Sequence, residues 1–181
     1  MRLPVFVASW QIECCADPVS VGDQVDWGLV FVERTEPEAA RAETLVELDL
    51  HAEPWPGGTE CLGKYAVTLR TGALTMYWDA PRDVTRVKRL RGEVHEDHHG
   101  DFPPGHPTSR GLVRRIRVEE RDYEKDPETQ DSVLILKPTR YRDVTTSPKW
   151  FRDSDSDQRV RWAETGILVD LEVPETLAGR A

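Results

Sequence analysis

The sequence has no apolar run approaching the roughly 18 residues that a helical membrane span requires, which excludes a helical integral membrane protein. It has three cysteines and no Cys-x-x-Cys pair. Zinc ribbons and thioredoxin-like redox motifs are therefore absent, and an odd cysteine count makes no disulfide framework. G-x-S-x-G, a Walker loop and G-x-G-x-x-G are missing, so no nucleophile-elbow or phosphate-cradling motif is present. Positive charge is short as well. The 24 Lys+Arg against 33 Asp+Glu leave the 181-residue chain at −9, which argues against unspecific binding to phosphate backbones. Helical signals are scarce: only Glu36 to Thr44 reads as a helix, short, with Pro37 at its start.

What is there is β. Thirteen prolines and twelve glycines suit short strands and turns, and 38% hydrophobic residues suffice for a modest core. Gln24 to Glu33 is rich in β-branched and aromatic residues and follows the turn Val21-Gly22-Asp23. Thr44 to Glu53 alternates, with Val46, Leu48, Leu50 and Ala52 on one face. Lys64 to Arg70 and Ala73 to Asp79 flank Thr71-Gly72, a hairpin signal. Arg82 to Gly92, Gly111 to Glu120, Ser132 to Lys137 and Gly166 to Val173 complete the strands. The expected fold is mostly β, one or more small SH3-like barrels or a fused β-sandwich, with at most one or two short helices. Arg82-Asp83-Val84-Thr85 recurs as Arg142-Asp143-Val144-Thr145, so the single unit of residues 1–181 divides into two β subdomains, about 1–90 and 91–181, on this reading.

Leu3 to Trp10 lacks the length and cleavage site of a signal peptide and is expected to be the first strand of a cytoplasmic protein. Cys14 and Cys15 would point to opposite faces of an extended backbone, with one buried and one near the surface.

Several blocks stand out together: Trp10-Gln11-Ile12-Glu13-Cys14-Cys15, Pro18-x-x-Val21-Gly22-Asp23-x-Val25-x-Trp27, Ser147-Pro148-Lys149-Trp150-Phe151 and Glu164-Thr165-Gly166-Ile167-Leu168-Val169 onward to Pro174. In these the chain resembles an uncharacterised family of short acidic actinobacterial proteins, a domain of unknown function. The resemblance implies a bacterial cytoplasmic protein and brings no activity, cofactor or catalytic residue with it.

Three groups of residues offer chemistry. Four of the five histidines lie between His95 and His106. In an extended strand His95, Asp97 and His99 share a face with neighbours about 7 Å apart, so a metal would take His95 with Asp97, or Asp97 with His99, plus His106 or a ligand from another strand. Such a set suits zinc or iron; a polar strand end and loop would use the same residue types. Residues 82–121 carry ten basic and seven acidic side chains. There Arg115, Arg117 and Arg121 share a strand face with Glu119 while Leu112, Ile116 and Val118 point the other way, and with Arg89 nearby Arg115 and Arg117 could hold an anion. A solvated face of paired charges gives the same alternation. Asp153 to Asp157 alternates acids but lacks the glycine and terminal glutamate of a calcium loop. Finally, Trp55 and the Trp150-Phe151 pair sit in loops beside prolines. They either close a barrel end, the favoured expectation, or anchor a partner.

The expectation from sequence is thus a noncatalytic β-barrel module that binds a protein or peptide partner, with no cofactor, no membrane and no nucleic acid. The alternatives are a metal-binding protein or metal-dependent enzyme on His95, Asp97, His99 and His106, and an anion or nucleic-acid binder on the Arg115 face.

Overall fold

Alternation of β-branched and aromatic residues with polar ones underlies most of the eleven strands among the described residues. The computed structural model describes residues 1–34, 43–56, 64–82, 84, 88–99, 103–129, 131–135, 138–154 and 158–175. In chain order the strands are β1 (Arg2–Ala8), β2 (Gln24–Trp27), β3 (Leu29–Glu33), β4 (Leu45–Pro54), β5 (Tyr65–Thr71), β6 (Leu74–Ala80), β7 (Lys88–Glu96), β8 (Ser109–Lys125), β9 (Ser132–Leu134), β10 (Arg140–Val144) and β11 (Val160–Glu172). One short helix, α1 (Ser9–Cys14), separates β1 from β2.

Five strands close on themselves. β7 pairs antiparallel with β3 (Phe31 opposite Val94) and with β4 (Leu48 opposite Leu90), β4 with β5, β5 with β6, and β6 returns to β3 in parallel through Val30 and Tyr77. The result is the closed β-barrel of a mostly β protein, as the sequence suggested. Its interior holds Leu29, Phe31, Leu50, Leu69, Met76 and Trp78, all nearly inaccessible to solvent. The Gly72-Ala73 turn of the β5–β6 hairpin has Gly72 at φ +56°, the positive value that tight hairpin turns require.

The remaining strands extend the same sheet outward. β1 joins the barrel by a parallel contact, Phe6 opposite His95, and pairs antiparallel with β11, which pairs with β8 along nearly its whole length. On its other edge β8 takes β2, β10 and β9 in turn. Leu3, Val5, Val7, Ile116, Ile167 and Val169 make this sheet's buried face, continuous with the barrel core. Residues 90 and 91 fall inside β7, the strand common to the barrel and the extension. A bulge in β11 sits at Thr165, and at the neighbouring Gly166 a side chain would strike the Val7 carbonyl and the Phe6 ring.

Several local expectations need correction. The segment from Leu3 stops being a strand at Ala8, and Ser9–Cys14 is helical. A helix this short has little stability of its own. It is held by burial of Gln11 and Ile12 and by Lys149, whose Nζ donates to the carbonyls of Ile12 (2.6 Å) and Ala16 (3.1 Å) at the helix C-terminal end. The Gln24 to Glu33 run breaks at Gly28: β2 pairs with β8 and β3 with β7, so the chain passes from extension to barrel there. In β8 the register shifts between Arg115 and Val113, and this bulge puts Val113 on the buried face beside Ile116 in place of Leu112. β10 carries no apolar alternation and was not anticipated. Residues 36–42 of the expected helix, positions 83 and 85 of the first Arg-Asp-Val-Thr copy and residues 155–157 of the Asp153 to Asp157 loop lie outside the described residues.

Candidate functional site

Glu96, the last residue of β7, continues the barrel-facing row of Leu90 and Val94 with a carboxylate. It is only 4% exposed, and no group among the described residues hydrogen-bonds its Oε2. Its Oε1 lies 3.7 Å from Nδ1 of His98, too far for a hydrogen bond. Burial, with a smaller push from the neighbouring Asp97 carboxylate, raises its pKa to about 7. A carboxyl in that state both donates and accepts near neutrality, and it gains most from a cation or a strong donor brought within reach.

The break at Gly28 makes room for such a group. A cleft of about 450 Å³ opens between α1, the β2–β3 junction and the end of β7. Val7, Ile12, Val25, Trp27 and Ile167 give it apolar walls, and Asp17, Glu96 and Asp97 give it negative charge, with Asp26 held by Arg110. No lysine or arginine among the described residues lines it. Gln11 fixes its geometry: its side-chain amide donates to the Glu96 carbonyl (3.1 Å) and accepts from the His98 N–H (2.7 Å), tying helix to strand end. Asp97 N–H donates to the Gly28 carbonyl (2.9 Å), closing the other side. A comparable hollow over β2 and β8 is lined by Asp26 and Arg110, which neutralise each other at 2.9 Å.

Two tryptophans stand near this end of the molecule. Trp10 on α1 is 54% exposed and stacks on His99, with ring centroids 4.7 Å apart. Trp150 is 70% exposed, so it does not cover the barrel as expected. The loop that carries it is pinned to α1 by Lys149 and by the Phe151 N–H donating to Glu13 (2.9 Å). Phe151 takes the inward position against the core, and Trp150 is left facing solvent.

The proposed metal set is not brought together. His95 sits edge-on to Phe6 with Nε2 3.4 Å from the buried Glu93 carboxylate, which Arg34 and Thr44 also engage. Asp97 accepts from the His99 N–H in a turn, and the His99 ring lies on Trp10. His106 is elsewhere, buried over β5 and β6 between Trp55 and Tyr77. Its Nδ1 faces the Pro107 carbonyl at 3.0 Å and must therefore carry the proton, leaving Nε2 to accept from Thr68 (3.3 Å). Burial lowers its pKa. Trp55 thus packs on its own domain as well as reaching solvent. The expected anion set is divided and matched by acids: Arg89, on β7 and three strands from β8, with Glu47 (2.7 Å), Arg115 with Asp143 (2.5 and 2.9 Å), Arg117 with Asp170 (2.7 Å) and Glu43. An anion would have to displace a carboxylate at each. Behind them Glu119, fully buried, accepts from Arg121 (2.6 Å), Thr165 (2.8 Å) and Tyr141 (3.2 Å).

The resemblance noted in the sequence has a definite form. The model of the family of unknown function DUF6578 matches residues 1–173, nearly the whole chain. The chain belongs to DUF6578. No curated protein and no solved structure matches it. The DUF6578 match runs through every element that builds the cleft, from Val7 on β1 to Ile167 on β11. No helix among the described residues is long and apolar enough to cross a membrane.

Proposed function

We propose that this protein is a noncatalytic interaction module whose cleft receives a basic side chain of a partner polypeptide. The observation that carries the reading is the Glu96 carboxylate, buried in an acidic, apolar-walled cleft with one oxygen that no described group satisfies. Such an oxygen costs stability unless a ligand completes it. A lysine or arginine side chain matches the cleft in both respects, since its methylene stem suits the Val25, Trp27 and Ile167 wall and its charged head suits Glu96. The exposed Trp10 and Trp150 supply the kind of rigid aromatic area that partner contacts favour. Among the described residues the cleft lining contains no serine, cysteine or lysine.

The test is selection from a displayed random-peptide library at pH 7. Enriched peptides are expected to share a Lys or Arg flanked by apolar residues, and to lose binding at least about tenfold to Glu96→Gln, as removal of a charged partner does. Enrichment without a basic residue, or equal binding by the variant, would overturn the reading.

A further inference from the structure

We infer that Cys14, Cys15 and His99 form, when the cysteines are reduced, a binding site for one thiophilic d10 cation, Cu(I) or Zn(II). Extended chain would send the two cysteine side chains to opposite faces. Here Cys14 ends α1 and Cys15 follows it as the helix turns out, so both sulfurs emerge together at the surface. One ligand atom from each of Cys14, Cys15 and His99 lies within 4.8 Å of the others, the spacing of donors around a single ion. All three residues are exposed and open to an incoming ion.

The third donor comes from 84 positions along the chain, and the structure spends several contacts on placing it. Gln11 bonds the Glu96 carbonyl and the His98 N–H, Asp97 receives the His99 N–H, and Trp10 lies against the imidazole face. Two thiolates and an imidazole are the donor types that Cu(I) and Zn(II) prefer. Cu(I) is satisfied by three such ligands, whereas Zn(II) would complete four with water.

The same two sulfurs are paired with each other as a disulfide in the structure. A small thiol opens it: the disulfide and two R′SH give two cysteine thiols and R′SSR′. Binding then replaces both thiol protons, the dithiol and one cation giving the metal dithiolate and two H⁺. The cation and the disulfide exclude each other, so occupancy follows the thiol–disulfide state of the surroundings. None of the three ligands lines the cleft beside Glu96.

The full chain, reduced with a small thiol and desalted without oxygen, would be titrated against a chromophoric Zn(II) chelator and, in a second arm, a Cu(I) chelator. One equivalent of at least one of the two cations is expected to bind, with release of two protons. Cys61→Ser should bind equally, whereas the Cys14→Ser/Cys15→Ser double variant and the oxidised protein should bind none. His99→Ala should bind at least about tenfold more weakly, since even outer-shell changes at metal sites reach that size. Circular dichroism would confirm that these surface variants are folded. Failure of the reduced protein to bind either cation, or a His99→Ala affinity equal to the wild type, would overturn the assignment.

Discussion

Replacing Glu96 by glutamine should change how stability depends on pH, and the change follows from where the carboxyl sits. Its pKa of about 7 in the fold compares with 4.5 when solvated. Below pH 4.5 the group is protonated in folded and unfolded chains alike and costs nothing. Between 4.5 and 7 only the unfolded chain ionises, so stability falls as pH rises. Above 7 both states are ionised and the loss is complete. Each pH unit between the two values is worth about 1.4 kcal/mol, giving a total of about 3 kcal/mol. Glutamine keeps the shape and removes the titration. Urea unfolding followed by tryptophan fluorescence would measure both proteins from pH 4.5 to 8.5. Whatever constant difference the amide introduces, the stability of the variant relative to wild type should grow by about 3 kcal/mol across that range. A difference that does not vary with pH would refute the reasoning, because Glu96 would then titrate alike in both states.

Other outcomes follow from the same structure. Glu119→Ala leaves the buried Arg121 guanidinium without its carboxylate and should cost about 3–5 kcal/mol in chemical unfolding. Trp150→Ala should alter stability by no more than about 0.5 kcal/mol, as exposed sites do, while Phe151→Ala, losing a contact with the core, should cost about 2 kcal/mol. Thermal or urea melts of the pair would show whether this order holds. His106 should retain its Nδ1 proton and titrate below 6.5, which imidazole-resolved NMR would read directly.

The barrel was legible because its determinants are local. Strand alternation such as Val46, Leu48, Leu50 and Ala52 and the Gly72 turn act within a few residues, and the chain obeyed them. The site was less legible because its determinants are distant in sequence. α1 is six residues long and stands on Lys149, more than 130 positions away, and on Gln11 clasping the end of β7. Nothing near Ser9 announces a helix, and reading the segment as strand put the cysteines on opposite faces. The histidine-rich stretch does not form one cluster. Its histidines disperse to Phe6, Trp10 and the Trp55–Tyr77 pocket, while Glu96 among them is the buried group. One signal was available: an acid continuing the apolar row of Leu90 and Val94 on a strand. The bulge at Arg114, by contrast, leaves no mark in the pattern, and the phase of β8 could not be carried across it.

The central claim, that the cleft beside Glu96 receives a basic side chain, is tested most directly by titrating isotope-labelled protein with a selected Lys- or Arg-containing peptide and following backbone amide shifts. The largest changes are expected at Ile12, Gly28, Asp97 and His98, which surround the cleft, and they should vanish in Glu96→Gln. Shifts centred instead on the Trp55–His106 end of the barrel, or unchanged in the variant, would contradict it.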